Sequence, residues 1–370
     1  REHSARPSTT PEPPPTPTRT TSVMATKKKM RGYMIENHGG VESLSLQELN
    51  APIPQKGEVR VKLKTMALNH LDLWVRRGVP GHRFPLPLIP GCDGAGVIES
   101  TGSDVSESLV GKEVILSPGF SCGECSACQA NEDPLCDGYG ILGETRHGTC
   151  AEYVVVKTEQ CLPKPKNISW EEAAAFPLSA LTAASMLQKC HLRQGETLLV
   201  IAGTSGVGSM AIQIGKRLGA RVIATASTAE KRDVAENMGA DHTIDPEPED
   251  WWKTVKTWTE GRGADVIFEN VGQATWDQSL LALARGGRLT TCGATTGSLV
   301  EVELKRLFFK NQQLIGSTMG SRTLLIDTLE YLEKGHLKPH IDSIHPLENL
   351  PTAHARMENR SSIGKIVITL

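Results

Sequence analysis

The spacing of apolar and polar residues divides the chain into two unlike halves. From Arg31 to about Val156, short strand-like runs alternate with Gly and Pro punctuation. Val59-Arg60-Val61-Lys62-Leu63-Lys64 changes side at every residue, which is the period of a half-buried strand. Lys112-Glu113-Val114-Ile115-Leu116 and Glu152-Tyr153-Val154-Val155-Val156 read the same way. This half predicts a β-rich domain carrying an inserted cysteine loop.

After Pro163-Lys164-Pro165 the period changes. Ser169-Trp170-Glu171-Glu172 predicts a helix start with acidic residues in its first turn. Thr197-Leu198-Leu199-Val200-Ile201 is apolar throughout, as in a strand covered on both faces. A helix from about Gly208 to Leu218 is expected next, then strands at Arg221-Val222-Ile223-Ala224-Thr225, Val266-Ile267-Phe268 and Arg288-Leu289-Thr290-Thr291, with helices between. Strands and helices in alternation predict a parallel, doubly wound sheet, so the fold class is α/β. The last run, Lys365-Ile366-Val367-Ile368-Thr369-Leu370, predicts a strand that rejoins the first domain. The expected division is a tail over 1–29, a β domain over 30–165, a dinucleotide-binding domain over 166–310 and a returning segment over 311–370.

Composition adjusts this picture in three places. A chain of 370 residues with 39% hydrophobic content is long and apolar enough for two domains with a sizeable core. Residues 1 to about 29 are rich in Pro, Thr, Ser and Arg with almost no large apolar side chains, which predicts disorder. Met24 is a natural start for the folded part, and Lys27-Lys28-Lys29 reads as a solvated terminus. A net charge of −2 argues against nucleic acid or an anionic membrane as partner. No apolar stretch approaches the ~18 residues of a bilayer span.

Nine cysteines in a long chain without a signal-peptide core fit a reducing cytoplasm better than a disulfide framework. Cys150, Cys161, Cys190 and Cys292 read as small core residues. Cys122, Cys125, Cys128 and Cys136 follow Cys-x2-Cys-x2-Cys-x7-Cys. Tight turns of this kind bring four thiolates to the corners of a tetrahedron, the geometry of a structural zinc. An iron–sulfur cluster is the rival, but the fourth cysteine comes late and no Cys-Pro closes the run. Unliganded cysteines are the other alternative. With four thiolates no position stays open for substrate, so this zinc is expected to hold a lobe and not to catalyse.

Gly203-Thr204-Ser205-Gly206-Val207-Gly208 follows the apolar strand and opens a helix. A turn in that context aims backbone N–H groups at a pyrophosphate; the alternative is a tight turn and nothing more. At the end of the next strand an acid would take a ribose 2′-hydroxyl. The chain has Ala224-Thr225-Ala226-Ser227-Thr228 there, followed by Lys231 and Arg232. Ser227 and Lys231 suit a 2′-phosphate, which favours NADPH over NADH, although a solvated helix face would also carry such lysines.

These features resemble the medium-chain dehydrogenase/reductase superfamily, the zinc-type alcohol dehydrogenases and their quinone and enoyl reductase relatives. The resemblance covers about residues 30–370. It is carried by Gly91-Cys92-Asp93-Gly94-Ala95-Gly96, the cysteine lobe, the glycine turn, Gly239-Ala240-Asp241, Glu269-Asn270-Val271-Gly272 and Gly364-Lys365-Ile366-Val367. It implies a GroES-like β domain, a Rossmann domain, a cleft between them and a homodimer or homotetramer. It also implies that His70, Thr182, Asn270 and Gly293 line the cofactor.

The chain departs from the family at the catalytic zinc. The expected Cys-His-Thr-Asp stands as Asn69-His70-Leu71-Asp72, the Gly-His-Glu as Gly91-Cys92-Asp93, and the third ligand position aligns with Leu178. One thiolate does not hold a catalytic zinc. Asp72, Asp93 or His70 completing an odd site around Cys92 is the alternative; without a metal to support, Asp72 and Asp93 read as hydrogen-bonded structural carboxylates. The candidate catalytic residues are therefore Asn69, Asp72 and Cys92, with Asn69 expected either to hydrogen-bond an acceptor oxygen or to form a turn. Without a Lewis acid, reduction of a conjugated enone, activated alkene or quinone is expected, because the charge that develops is delocalised. Trp74, standing where many such reductases have a tyrosine, can pack on a planar substrate but is a poor proton source, which leaves solvent as the donor. The alternatives are an alcohol or aldehyde dehydrogenase with an atypical zinc site, and a non-catalytic NADPH-binding protein.

Overall fold

A computed structural model describes residues 28–370. The tail expected over 1–29 lies outside the described residues except for its last two positions, and these belong to the fold. Lys29 opens the strand Lys29–Ile35, which pairs with Leu44–Asn50. Lys28 pairs with Glu99, its ammonium 4.5 Å from the Tyr153 ring centroid. Its side chain is 44% exposed, so it touches the sheet while staying in contact with water.

The β body is a sheet in the spatial order Ile341–Pro346, Lys365–Thr369, Glu58–Ala67, Asp93–Thr101, Glu113–Leu116, Cys161–Pro163, with Tyr153–Lys157 also pairing to Glu58–Ala67. Along Glu58–Ala67 the alternation holds as far as Lys64: Val59, Val61 and Leu63 are buried while Lys62 and Lys64 are exposed. Thr65, Met66 and Ala67 are then all buried, where the strand Lys365–Thr369 pairs with this end and the helix Trp170–Ala175 packs on it. The Thr65 hydroxyl donates to the Trp170 carbonyl at 2.7 Å.

The second body is a six-stranded parallel sheet. Its spatial order is His242–Ile244, Arg221–Thr225, Thr197–Val200, Ala264–Glu269, Leu283–Thr291, Gln313–Gly316. Numbered along the chain this is 3-2-1-4-5-6, the doubly wound order that leaves a crevice where the direction of winding reverses. The crevice opens at the carboxyl ends of Thr197–Val200 and Ala264–Glu269, where the glycine turn and Asn270 lie.

Two boundaries move. Gln313–Gly316 pairs in parallel with Leu283–Thr291, so the dinucleotide-binding sheet continues past residue 310 and the chain returns to the β body only with Ile341–Pro346. The reason is that this run is an edge strand, and its partner surface is visible only once the sheet is assembled. At the other end, the helix Trp170–Ala175 packs on Glu58–Ala67 and Asp93–Thr101, not on the parallel sheet. Its start is the expected capping box: Ser169 Oγ accepts from Glu172 N, and Glu172 Oε2 from Ser169 N, both at 3.1 Å. Ala173, Ala174, Ala175 and Phe176 then join the two bodies into one continuous core.

One buried polar pair in the β body makes acid sensitivity predictable. His354 and Arg76 are both 0% exposed, and Arg76 Nη2 donates to Glu358 Oε2 at 2.8 Å. Burial, and then the Arg76 charge, lower the His354 pKa from 6.5 to about 3. The unfolded chain binds a proton near 6.5 that the folded chain refuses, so this contribution is complete above that pH and is lost as pH falls toward 3. Between pH 7 and pH 5 the loss is about 2 kcal/mol. In urea titrations at those two pH values, His354→Leu should lose about 2 kcal/mol less stability than wild type. Equal losses in both proteins would mean that folded His354 accepts its proton.

Candidate active site

Three strand ends of the β body meet at the mouth of the crevice. Ala67 is paired with Asp93 on one side and Val367 on the other. This register brings Asn69, just beyond the strand, beside Asp93 and Lys365, although Lys365 and Asp93 are 272 residues apart in the chain. Lys365 Nζ donates to Asn69 Oδ1 at 2.6 Å and to Asp93 Oδ2 at 3.0 Å. The same Asp93 Oδ2 accepts from Asn69 Nδ2 at 2.9 Å, and Asp93 Oδ1 accepts from Leu178 N at 3.0 Å. The side chains of Lys365 and Asp93 are 4% and 0% exposed. Leu178 lies in the first turn of the helix Pro177–Lys189, whose amides favour a carboxylate there.

Asn69, Asp72 and Cys92 are brought together here, each with hydrogen-bond partners inside the protein. Asn69 Nδ2 is spent on Asp93 and on Cys92 Sγ at 3.3 Å, so its amide is not left to meet a substrate oxygen. Asp72 is a cap for its own helix, His70–Arg77: its carboxylate accepts from Asn69 N at 2.8 Å and Gly91 N at 3.1 Å. Burial raises its pKa to about 7. Cys92 is 0% exposed, and burial first, then Asp93 and Asp72, push its thiol pKa well up, which keeps it protonated. The Asn69 amide is already bonded and Leu178 offers no donor, so Cys92 is the one soft ligand among the three positions. Among the described residues the one group of three or more metal-type ligands is the four-cysteine cluster.

Lys365 was legible only as part of a family motif; nothing in its sequence neighbourhood marks a lysine that reaches residues 69 and 93. Glu269 is a second addition. Its buried carboxylate accepts from Val271 N, Gly272 N, Thr275 Oγ1 and Ser279 Oγ between 2.6 and 3.0 Å, and so fixes the loop that carries Asn270. A carboxylate followed by small and hydroxyl residues was the available signal.

The dinucleotide crevice fits its ligand. A Cβ on Gly203 would lie 2.7 Å from Ala224 Cβ, and one on Gly208 2.3 Å from the Ala202 carbonyl oxygen, so both positions admit glycine alone. Ser205 caps the helix Gly206–Arg217 through Gly208 N at 3.0 Å, and Asn270 Nδ2 approaches Ser205 Oγ at 3.4 Å. Thr204, also buried, accepts at its carbonyl from Gly364 N at 2.7 Å, which docks the C-terminal strand on the turn. Val207 is half-buried in the first turn of that helix. Thr182 Oγ1 is buried without a hydrogen-bond partner, as expected of a group that awaits one from a ligand. A Cβ on Gly293 would come 3.9 Å from Trp74 Cη2, so the indole faces the cofactor side across a narrow cleft.

His70 opens the helix His70–Arg77, where burial of the ring first, then the charges of Lys365, Arg360 and Arg77, lower its pKa to about 4. Ser227 is exposed at the end of its strand, with no carboxylate between Thr225 and Thr228. Lys231 Nζ donates to the Arg360 carbonyl at 2.9 Å, while Arg232 Nη1 donates to the Ala226 carbonyl at 3.1 Å and pairs with Asp245 at 3.4 Å.

The four cysteines of the lobe have their sulfur atoms within 4.8 Å of one another. Cys122–Cys128, Cys125–Cys128 and Cys122–Cys136 separations are 3.8, 3.5 and 3.5 Å. A tetrahedron with Zn–S bonds of about 2.3 Å sets its corners about 3.8 Å apart, so the cluster has the size of a zinc shell. The Cys125 backbone N–H donates to Cys122 Sγ at 3.4 Å, a contact that favours the thiolate a metal needs.

Comparisons with known proteins agree with this geometry. Residues 55–166 match the family described as the alcohol dehydrogenase GroES-like domain, and 206–334 the one described as zinc-binding dehydrogenase. A zinc-type alcohol dehydrogenase-like protein of Schizosaccharomyces pombe is 31% identical, over 91% of this chain and 99% of that protein. A quinone oxidoreductase of Pseudomonas aeruginosa is 30% identical, over 90% and 97%. Among solved structures, an NAD-dependent alcohol dehydrogenase superimposes with a TM-score of 0.88 at 43% identity, covering 92% of this chain and 99% of the other. With a GroES-like sheet, a 3-2-1-4-5-6 dinucleotide sheet and a cysteine lobe in one chain, the protein belongs to the medium-chain dehydrogenase/reductase superfamily and is a nicotinamide-dependent oxidoreductase.

Proposed function

We propose that the protein reduces activated alkenes, enones or quinones with NADPH and without a catalytic metal. The observation that carries this reading is the donor set at the three family ligand positions: the Asn69 amide is bonded to Asp93 and Cys92, Leu178 offers no side-chain donor, and Cys92 alone is a soft ligand. A conjugated acceptor suits such a site because its developing charge is spread over several atoms. A bound dihydronicotinamide supplies the hydride. Thr182 and the Gly203–Gly208 turn bind the cofactor, Trp74 packs on the planar acceptor, and the narrow cleft excludes water. His70, Asn270 and Gly293 line the same crevice. Ser227 and Lys231 favour a 2′-phosphate, and the strand end carries no acid to repel it. Nine free cysteines suit a reducing compartment such as the cytoplasm.

Self-association as a homodimer is part of this reading. Leu299, Leu304, Phe308 and Phe309 are 85, 67, 59 and 67% exposed, beside the edge strand Gln313–Gly316. A second copy of this chain placed edge to edge would cover both features. The double substitution Phe308→Glu/Phe309→Glu should convert a dimer to a monomer in light-scattering chromatography.

Three measurements test the remainder. Metal analysis should give one zinc per chain, and Cys125→Ser should abolish retention and lower thermal stability; two zinc ions per chain would instead favour an alcohol dehydrogenase. A screen of NADPH oxidation should respond to quinones and enones and stay weak with simple aldehydes and ketones. Silence with every acceptor while NADPH still binds would favour a non-catalytic binding protein. Ser227→Asp should shift the NADPH-to-NADH ratio of kcat/KM by at least about tenfold toward NADH, because a carboxylate repels the 2′-phosphate.

A further inference from the structure

Behind the active site, Arg76 and His354 share a buried place with unanswered polar atoms. Both residues are 0% exposed. Arg76 Nε and Nη1, and His354 Nδ1 and Nε2, have no hydrogen-bond partner among the described residues. Two helices bring them together. Arg76 stands in the last turn of His70–Arg77, one turn after Asp72 on the same buried face. His354 stands in Leu350–Glu358, one turn before Glu358. The two helices pack on each other, and Arg76 Nη2 donates to Glu358 Oε2 at 2.8 Å. The guanidinium therefore lies along the face that carries His354. It is close enough that its charge opposes a proton on the imidazole.

The orphan atoms are mostly donors. A guanidinium carries five N–H groups, one on Nε and two on each Nη. Glu358 takes one from Nη2, while the three on Nε and Nη1 meet no acceptor. A neutral imidazole adds one N–H and one lone pair. Four donors thus stand against one acceptor. A water molecule suits this set poorly, because its own two hydrogens would compete for the single lone pair. Charge is short in the same sense. The Glu358 carboxylate is shared between Arg76 and Arg77. Glu42, the other acid whose charge reaches Arg76, is exposed and accepts from Gly40 N at 2.8 Å. His38 is spent on the Val75 carbonyl at 2.9 Å. A buried cation left short of acceptors is costly, so the place calls for a ligand that accepts and carries negative charge.

We infer that a monovalent anion of halide size binds between Arg76 and His354, accepting from the orphan guanidinium N–H groups and from the imidazole N–H. Such an ion accepts without donating. It also supplies the negative charge that Glu358 has to divide between two guanidinium groups. Bound there, it joins the helix His70–Arg77, whose first turn carries Asp72, to the C-terminal helix Leu350–Glu358. Its part is to hold the back of the active-site helix, whichever acceptor the enzyme reduces. The acid sensitivity described for His354 belongs to the ion-free site, because a halide beside the ring offsets the Arg76 charge.

Bromide is the probe. Crystals grown in sodium bromide should show an anomalous peak within hydrogen-bond reach of both Arg76 and His354. Density there without anomalous signal is an ordered water and overturns the inference, and so do bromide peaks confined to the protein surface. In solution the comparison is thermal unfolding at about pH 8 in sodium bromide and in sodium gluconate of equal ionic strength. An ion that binds only the folded chain raises the midpoint, and gluconate is too bulky to enter a closed site. The midpoint should be at least about 2 °C higher in bromide. Arg76→Met removes the donors without stranding Glu358, which keeps Arg77, and should erase the difference. His354→Leu leaves the guanidinium in place and should shrink it; this variant decides the matter should Arg76→Met fail to fold. A bromide effect of equal size in wild type and either variant is a general salt effect and overturns the inference.

Discussion

The buried contact of Lys365 with Asp93 and Asn69 is the constraint on which this active site depends. Two opposite charges, both withdrawn from water, persist only if each finds enough partners to offset its desolvation. Asp93 finds the Leu178 amide, the Asn69 amide and the Lys365 ammonium; Lys365 finds Asp93 and the Asn69 carbonyl oxygen. To keep those partners in place, the strands Glu58–Ala67, Asp93–Thr101 and Lys365–Thr369 must hold their register, and the helix Pro177–Lys189 must present its first turn. The contact therefore ties the β body, the cofactor turn and the first helix of the second body to one point.

The residues at the family's metal positions have partners of their own. A zinc ion concentrates two positive charges and asks for thiolate or imidazole ligands. The Lys365 ammonium instead takes oxygen acceptors, an amide and a carboxylate. Cys92 is buried beside the Asn69 amide, and Leu178 gives its backbone N–H to Asp93. The zinc-type lobe is independent of this change. Its four sulfurs close on each other inside one loop, and its attachment to the second body runs through Arg322, whose amide donates to Asp133 and whose Nε donates to the Glu159 carbonyl.

What the sequence made legible follows the range of the interaction. Period-two alternation in Val59–Lys64, the capping box at Ser169 and Glu172, the glycine turn and the cysteine spacing are all local patterns, and each is found where the residues indicate. Long-range pairings were less readable. Gln313–Gly316 is a short edge strand with weak patterning, and its membership of the parallel sheet depends on a neighbour more than twenty residues earlier. The roles of Asn69, Asp72 and Cys92 were set by hydrogen-bond partners that no spacing rule connects.

The sequence by itself determined the two-body α/β plan, the cofactor class, the lobe, and the loss of the ligands that a second metal would need. It could do so because local backbone preferences and ligand spacing are written into consecutive residues. Tertiary structure alone decided which side chains meet at that site. Lys365 and Asp93 stand 272 residues apart and meet only because sheet register places Ala67 between their strands. A buried charge selects its partner by distance in space, and that distance exists only after the chain has folded.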